Sequence, residues 1–163
     1  FSTAEGLPDN EVGDVFETPD GTLIVDTRLG AVRWDDGRFI VETALPHRGD
    51  RARTVLGRAA DGAIWFRDAA GVHRFAGHAI ARTLSIEGDV VSAYEDRRGR
   101  FWLQLRGGAG DHPRTLACVC DGRLVRFGAK DGVPRFETIA WSEDRDGHVW
   151  FGLRGNAGLL QYD

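Results

Sequence analysis

The sequence contains no methionine, and only one of its 21 basic residues, Lys130, is a lysine. The arginine bias points to a GC-rich coding sequence. With Phe1 as first residue, the missing methionine predicts that the natural start codon, and any signal peptide, lies elsewhere. No apolar run approaches the roughly 18 residues that a membrane-spanning helix requires. Charge of one sign is scarce as well: the formal net charge is −4 over 163 residues. That is too mild to argue for nucleic acid or a membrane surface as partner, and no direct membrane insertion is expected of this segment. Only two cysteines are present, Cys118 and Cys120. On a strand they share a face, their spacing is short for a disulfide, and no second pair completes a zinc site. The expectation is two small buried hydrophobes. No stretch combines helical periodicity with caps, so the chain reads as all-β.

Catalytic wording is missing too. There is no G-x-S-x-G, H-E-x-x-H, phosphate-binding glycine loop or C-x-x-C. The five histidines, His47, His73, His78, His112 and His148, are scattered. They read as surface or turn residues rather than a metal site, whose ligand set is demanding. No catalytic residue, metal or cofactor is expected, and the segment is expected not to be an enzyme.

What the chain has is glycine, 22 of them against five prolines, and a repeat. Four segments place a polar residue before Gly and end on a large apolar side chain. They are Asp20-Gly21-Thr22-Leu23-Ile24, Asp61-Gly62-Ala63-Ile64-Trp65, Arg98-Gly99-Arg100-Phe101-Trp102 and Asp146-Gly147-His148-Val149-Trp150. The glycines lie 41, 37 and 48 residues apart. A period near 40 with four short strands per unit is that of a β-propeller blade. First strands are expected over 12–18, 52–58, 90–96 and 137–143. The second strand follows each glycine turn, and the third and fourth follow further turns, Asp36-Gly37 and Asp121-Gly122 being hairpin turns that need positive φ.

The expected architecture is therefore four blade repeats of four antiparallel strands, a β-propeller segment over 1–163. The repeats run over about 10–43, 50–83, 89–128 and 135–163, and the set is expected to be a fragment of a larger seven- or eight-bladed propeller. Phe1…Gly6-Leu7-Pro8 aligns with Phe127…Gly132-Val133-Pro134. Phe1 then matches the end of a fourth strand, and the last blade is expected to lack its outer strand or borrow one. The open edge would pair with the rest of the parent propeller or with a second copy. Trp65, Trp102, Trp150 and, in the first blade, Ile24 are expected to fill space between stacked sheets. Trp34 and Trp141 are read as packing residues before sugar-stacking ones.

Gly6-Leu7-Pro8-Asp9-Asn10-Glu11-Val12 is followed by Pro19-Asp20-Gly21, and Gly132-Val133-Pro134 by Glu143-Asp144-Arg145-Asp146-Gly147-His148-Val149-Trp150-Phe151-Gly152-Leu153. This wording resembles the two-component regulator propeller family. Tyr94-Glu95-Asp96-Arg97-Arg98-Gly99-Arg100-Phe101-Trp102 also fits. The second repeat keeps only Leu45-Pro46 and Asp61-Gly62-Ala63-Ile64-Trp65. The resemblance implies a periplasmic or extracellular sensor region of a bacterial histidine kinase, with a glycan as the common kind of ligand. Two alternatives remain. One is a streptogramin lyase-like propeller enzyme, which shares D-G-x-x-W-F wording and would need a histidine such as His112 on the loop face. The other is a scaffold for contact with other proteins.

Within that frame the candidate ligand-binding residues sit in the loops joining second to third strands. Arg28, Arg106 and Arg154 each lie seven residues after the repeat glycine, Arg67 lies nearby in the second blade, and the loop insertion 107–113 holds His112. Guanidinium groups pair bidentately with carboxylates or sulfates, as an acidic glycan would offer.

Overall fold

Each repeat glycine adopts a left-handed conformation, with φ of +85° at Gly21, +87° at Gly62, +75° at Gly99 and +86° at Gly147. A side chain at such a φ is strained, so glycine recurs wherever the first strand turns tightly into the second. The second turns do the same with two residues: Asp36 and Gly37 both have positive φ, as do Asp121 and Gly122. This is the turn that fits the right-handed twist of the flanking strands.

The structure, a computed structural model, describes residues 1–45, 54–106, 114–136, 139–154 and 158–163. It holds fifteen strands and two short 3₁₀ turns among those residues. The first sheet contains β1 (Val12–Glu17), β2 (Leu23–Thr27), β3 (Gly30–Asp35) and β4 (Arg38–Val41), in that order. The second has β5 (Thr54–Arg58), β6 (Ile64–Asp68), β7 (Gly71–Ala76) and β8 (Ala79–Leu84). The third has β9 (Val90–Glu95), β10 (Phe101–Leu105), β11 (Thr115–Cys120) and β12 (Arg123–Phe127). The fourth has three strands, β13 (Ile139–Glu143), β14 (Val149–Leu153) and β15 (Gly158–Tyr162). Consecutive strands of the first, third and fourth sheets pair antiparallel, as do β6 with β7 and β7 with β8. No helix among the described residues is long and apolar enough to cross a membrane.

Two compact units divide the chain: residues 1–55 with 61–86, and residues 56–60 with 87–163. In the first unit, Phe16, Ile24 and Ala31 of the first blade pack on Ile64, Phe66 and Phe75 of the second. In the second unit, Trp102, Leu116 and Cys118 of the third blade pack on Ile139, Val149, Phe151 and Leu153 of the fourth. The rule is the same in both. The residue three places after one turn glycine enters between the residues two and four places after the next (Ile24 against Ile64 and Phe66, Trp102 against Val149 and Phe151). Alternation along a strand puts those two sets on opposite faces of every sheet, so each blade has one outgoing and one incoming apolar face.

Trp65, Trp102 and Ile24 are fully buried, as packing residues should be. Trp150, at the same repeat position, is only half-buried. The alignment of Phe1 with Phe127 also has a structural counterpart. Thr3–Glu5 and Ala129–Asp131 are matching 3₁₀ turns, each ended by a left-handed glycine, Gly6 and Gly132. Leu7 and Val133 are buried just after them.

The cysteine expectation needs correction. Cys118 and Cys120 are joined in a disulfide, with Cα atoms 5.6 Å apart. The shared face that the sequence reading assigned them brings the two sulfurs together, and the Cα separation falls within the ordinary disulfide range.

Candidate functional site

The first chemistry to account for is the acidic residue three places before the repeat glycine. Asp96 Oδ1 accepts the backbone N–H of Arg98 and Arg100, at 3.0 and 2.9 Å. Its Oδ2 accepts Arg100 Nε at 2.6 Å and the Trp102 indole N–H at 3.0 Å. Asp144 repeats this in the next blade. Its Oδ1 accepts the backbone N–H of Asp146 and His148, and its Oδ2 accepts His148 Nδ1 at 2.9 Å and Trp150 Nε1 at 2.8 Å. One carboxylate thus closes the turn, holds the basic residue after the glycine and satisfies the indole. The Trp150 indole N–H, followed by the His148 bond, holds the Asp144 carboxyl well below the usual range. The Asp144 bond in turn raises His148.

The first blade shows the same logic by omission. Thr18 stands where Asp96 stands, and Ile24 replaces the tryptophan. With no indole to satisfy, a hydroxyl suffices: Thr18 Oγ1 donates to Asp20 Oδ1 at 2.5 Å.

Asp144, Asp146 and His148 present ligand atoms within 4.8 Å of one another. That geometry invites a cation, but the Asp144 oxygens already accept four donors, and a metal would have to displace the bonds that shape the turn.

Of the sequence-predicted arginines, Arg28, Arg106 and Arg154 fall in the loops just after second strands, and Arg67 lies on β6. Arg28 pairs with Asp9 at 2.6 Å and Glu11 at 3.3 Å. Arg106 pairs with Asp89 at 2.7 Å. In both loops the backbone repeats the pairing: Arg28 N–H donates to Glu11 O, and Arg106 N–H to Asp89 O. Arg28 and Arg106 are therefore balanced by acids at the entry to their own first strands, 17 residues earlier in each case. Arg154 is exposed, and Arg67 is half-buried at the end of β6. The insertion 107–113 with His112, and His47, lie outside the described residues.

One histidine, His73, differs from the surface or turn reading, and a second, His78, has a partner that the reading did not foresee. His73 is buried on β7, its Nε2 2.8 Å from Asp68 Oδ1 and its Nδ1 3.0 Å from the Thr83 hydroxyl. His73 and Thr83 are register partners across β7 and β8. The strand period places this imidazole inward, where cross-strand partners replace water. His78 does sit in a turn, but it reaches Glu42 of the first blade, Nδ1 to Oε2 at 2.8 Å. Glu42 is itself buried, so the pair joins two blades of the first unit. Neither residue had a signal in the repeat pattern, because each partner belongs to another strand or blade.

Trp34 and Trp141 are both half-buried against other rings. Trp34 meets Phe1 and Phe39 at 5.0 and 4.9 Å between centroids, and Trp141 meets Phe151 at 5.6 Å.

No protein-family model matches the chain. No curated protein matches it either. Two solved structures of the extracellular domain of BT4673 from B. thetaiotaomicron are similar to it. One, described as belonging to a one-component system, gives a TM-score of 0.59 at 15% identity, covering 96% of this chain and 25% of that one. The other, described as belonging to a hybrid two-component system, gives 0.61 at 16% identity, covering 96% and 23%. The chain thus spans about a quarter of the length of the structures it matches. At this identity the likeness is one of fold. It bears out the all-β propeller architecture.

Proposed function

We propose that this chain is part of the extracellular or periplasmic sensing propeller of a bacterial signalling protein, and that it binds a ligand rather than transforming one. The observation that carries this reading is the fold match over 96% of the chain to extracellular domains of one- and two-component systems. The repeat wording supports it independently. The ligand class is a glycan, and its candidate contacts are Arg28 and Arg67 in the first unit and Arg106 and Arg154 in the second, each unit taken by itself. The pairing of Arg28 and Arg106 with acids sharpens the chemistry. A guanidinium held beside a carboxylate presents donors and acceptors together, which suits the hydroxyl pairs of a sugar. An anionic group would instead have to displace Asp9, Glu11 or Asp89.

A glycan array probed with the intact propeller that carries this segment tests the reading. Binding of neutral or lightly charged glycans is expected. Strict preference for sulfated or polyuronic glycans would argue that the acids are displaced, and the absence of any glycan binding would defeat the ligand assignment. The cellular location is tested separately: protease added to intact cells should cleave the segment, and complete protection would contradict an extracytoplasmic sensor.

A further inference from the structure

Cys118 and Cys120 lie two residues apart on one strand, β11, and are bonded to each other. A disulfide in that position staples nothing. The loop it closes holds a single residue, Val119, so it removes less freedom from the unfolded chain than any longer loop would. It joins no two strands and no two blades. β11 is already held along both edges by pairing to β10 and β12 without a register shift. The bond can therefore open without freeing any strand of the third sheet.

The two sulfurs are not equivalent. Cys118 is fully buried, opposite Trp102 on β10, in the cluster that packs the third blade on Val149 and Phe151 of the fourth. Cys120 lies at the edge of that cluster, where the strand ends at the Asp121-Gly122 turn. The bond also shapes the strand. Residues two apart on a regular strand stand about 6.6 Å apart, whereas these Cα atoms are 5.6 Å apart. The bridge gathers β11 by about 1 Å, beside the residue that seats one blade on the next.

We propose that Cys118 and Cys120 form a thiol–disulfide exchange site whose substrate class is a dithiol reductant. An incoming thiolate attacks Cys120 Sγ. The bond between the two cysteines breaks, its electron pair leaves on Cys118 Sγ, and Cys118 takes up a proton. The second thiol of the reductant then displaces Cys120 from the mixed disulfide. The chain gains two thiols, the dithiol becomes a disulfide, and two electrons pass. Reduction lets β11 relax to its regular rise within an intact third sheet, and the packing of Cys118 on the fourth blade is what changes. The proposal rests on where the disulfide sits and is independent of the ligand.

Reduction in the native state, on the intact propeller that carries this segment, tests it. The protein is equilibrated in mixtures of reduced and oxidised dithiothreitol, free thiols are blocked, and the peptide holding both cysteines is weighed by mass spectrometry. Reversible conversion between bonded and free forms is expected, with unchanged far-ultraviolet circular dichroism. Tryptophan emission should rise on reduction, because a disulfide quenches a neighbouring indole and Trp102 is the register partner of Cys118. The double variant Cys118→Ala, Cys120→Ala should show no such rise. Given oxidised glutathione, Cys118→Ser should take up glutathione at Cys120, and Cys120→Ser should take up none at Cys118. A bond that opens only as the fold is lost would overturn the proposal and make the disulfide structural. Thiols that stay free in oxidised dithiothreitol, or glutathione uptake at Cys118 in place of Cys120, would overturn it as well.

Discussion

Asp96 and Asp144 each accept four hydrogen bonds, and in Asp96 all of them are inside the protein. Replacing Asp96 with alanine strands the Trp102 indole N–H and the Arg100 guanidinium in a buried setting. Leaving such groups unpaired costs on the order of 3 kcal/mol. The expected outcome for Asp96→Ala is a loss of that size in urea unfolding, measured with an unchanged m-value. Thr18→Ala, where no indole waits, should cost under about 1 kcal/mol, the net worth of an ordinary hydrogen bond. Equal losses in the two variants would contradict the assignment of the carboxylate to the tryptophan. The Asp144–His148 pair adds a pH dependence. The carboxyl is lowered from its ordinary 3.8, so its contribution is present above that value and lost as pH falls through the folded pKa. His148 is raised from 6.5, so its contribution is present below 6.5 and lost as pH rises through the folded pKa. The pair therefore stabilises most between those two values. A thermal melting series from pH 4 to 8 should show wild type losing stability above neutrality relative to His148→Ala, and parallel curves would refute the coupling.

At the scale of the element, the repeat made strands and turns legible because each turn needs a left-handed glycine and each second strand needs a large residue three places on. The described strand β1 ends one residue short of the expected 12–18, and β9 one residue short of 90–96. Contacts between strands far apart in sequence were not legible. Gly57 is one: a Cβ there would stand 1.8 Å from the Ala93 carbonyl oxygen. Glycine lets the backbone at 57–60 approach that at 93–95 within the second unit, continued by the Ala60 N–H bond to Glu95 O at 2.8 Å. No turn motif marks Gly57, so the sequence offered no reason to single it out. Gly57→Ala should destabilise by about 3 kcal/mol, the upper end of overpacking effects, seen as a lowered melting temperature. A neutral substitution would mean that the strands separate freely. The disulfide and the buried His73 escaped for a similar reason: spacing says which face a side chain takes, not what it meets there.

At the scale of the whole molecule, the sequence marked the proposed arginines but not their partners. Arg28 and Arg106 were visible as a recurrence after the turn glycine, while the acids that pair with them, Asp9, Glu11 and Asp89, precede the first strands, and spacing alone does not say that they meet the arginines. That pairing changes the expected ligand from an anion to a polyhydroxyl compound, and it changes what mutation should do. The most direct test is calorimetric titration of the intact propeller with the best glycan from an array, comparing wild type with a variant carrying Arg28→Ala, Arg106→Ala and Arg154→Ala. Loss of at least tenfold in affinity, about 1.4 kcal/mol, with little change in salt dependence is the result predicted. Unchanged affinity would contradict the placement of the ligand on these loops.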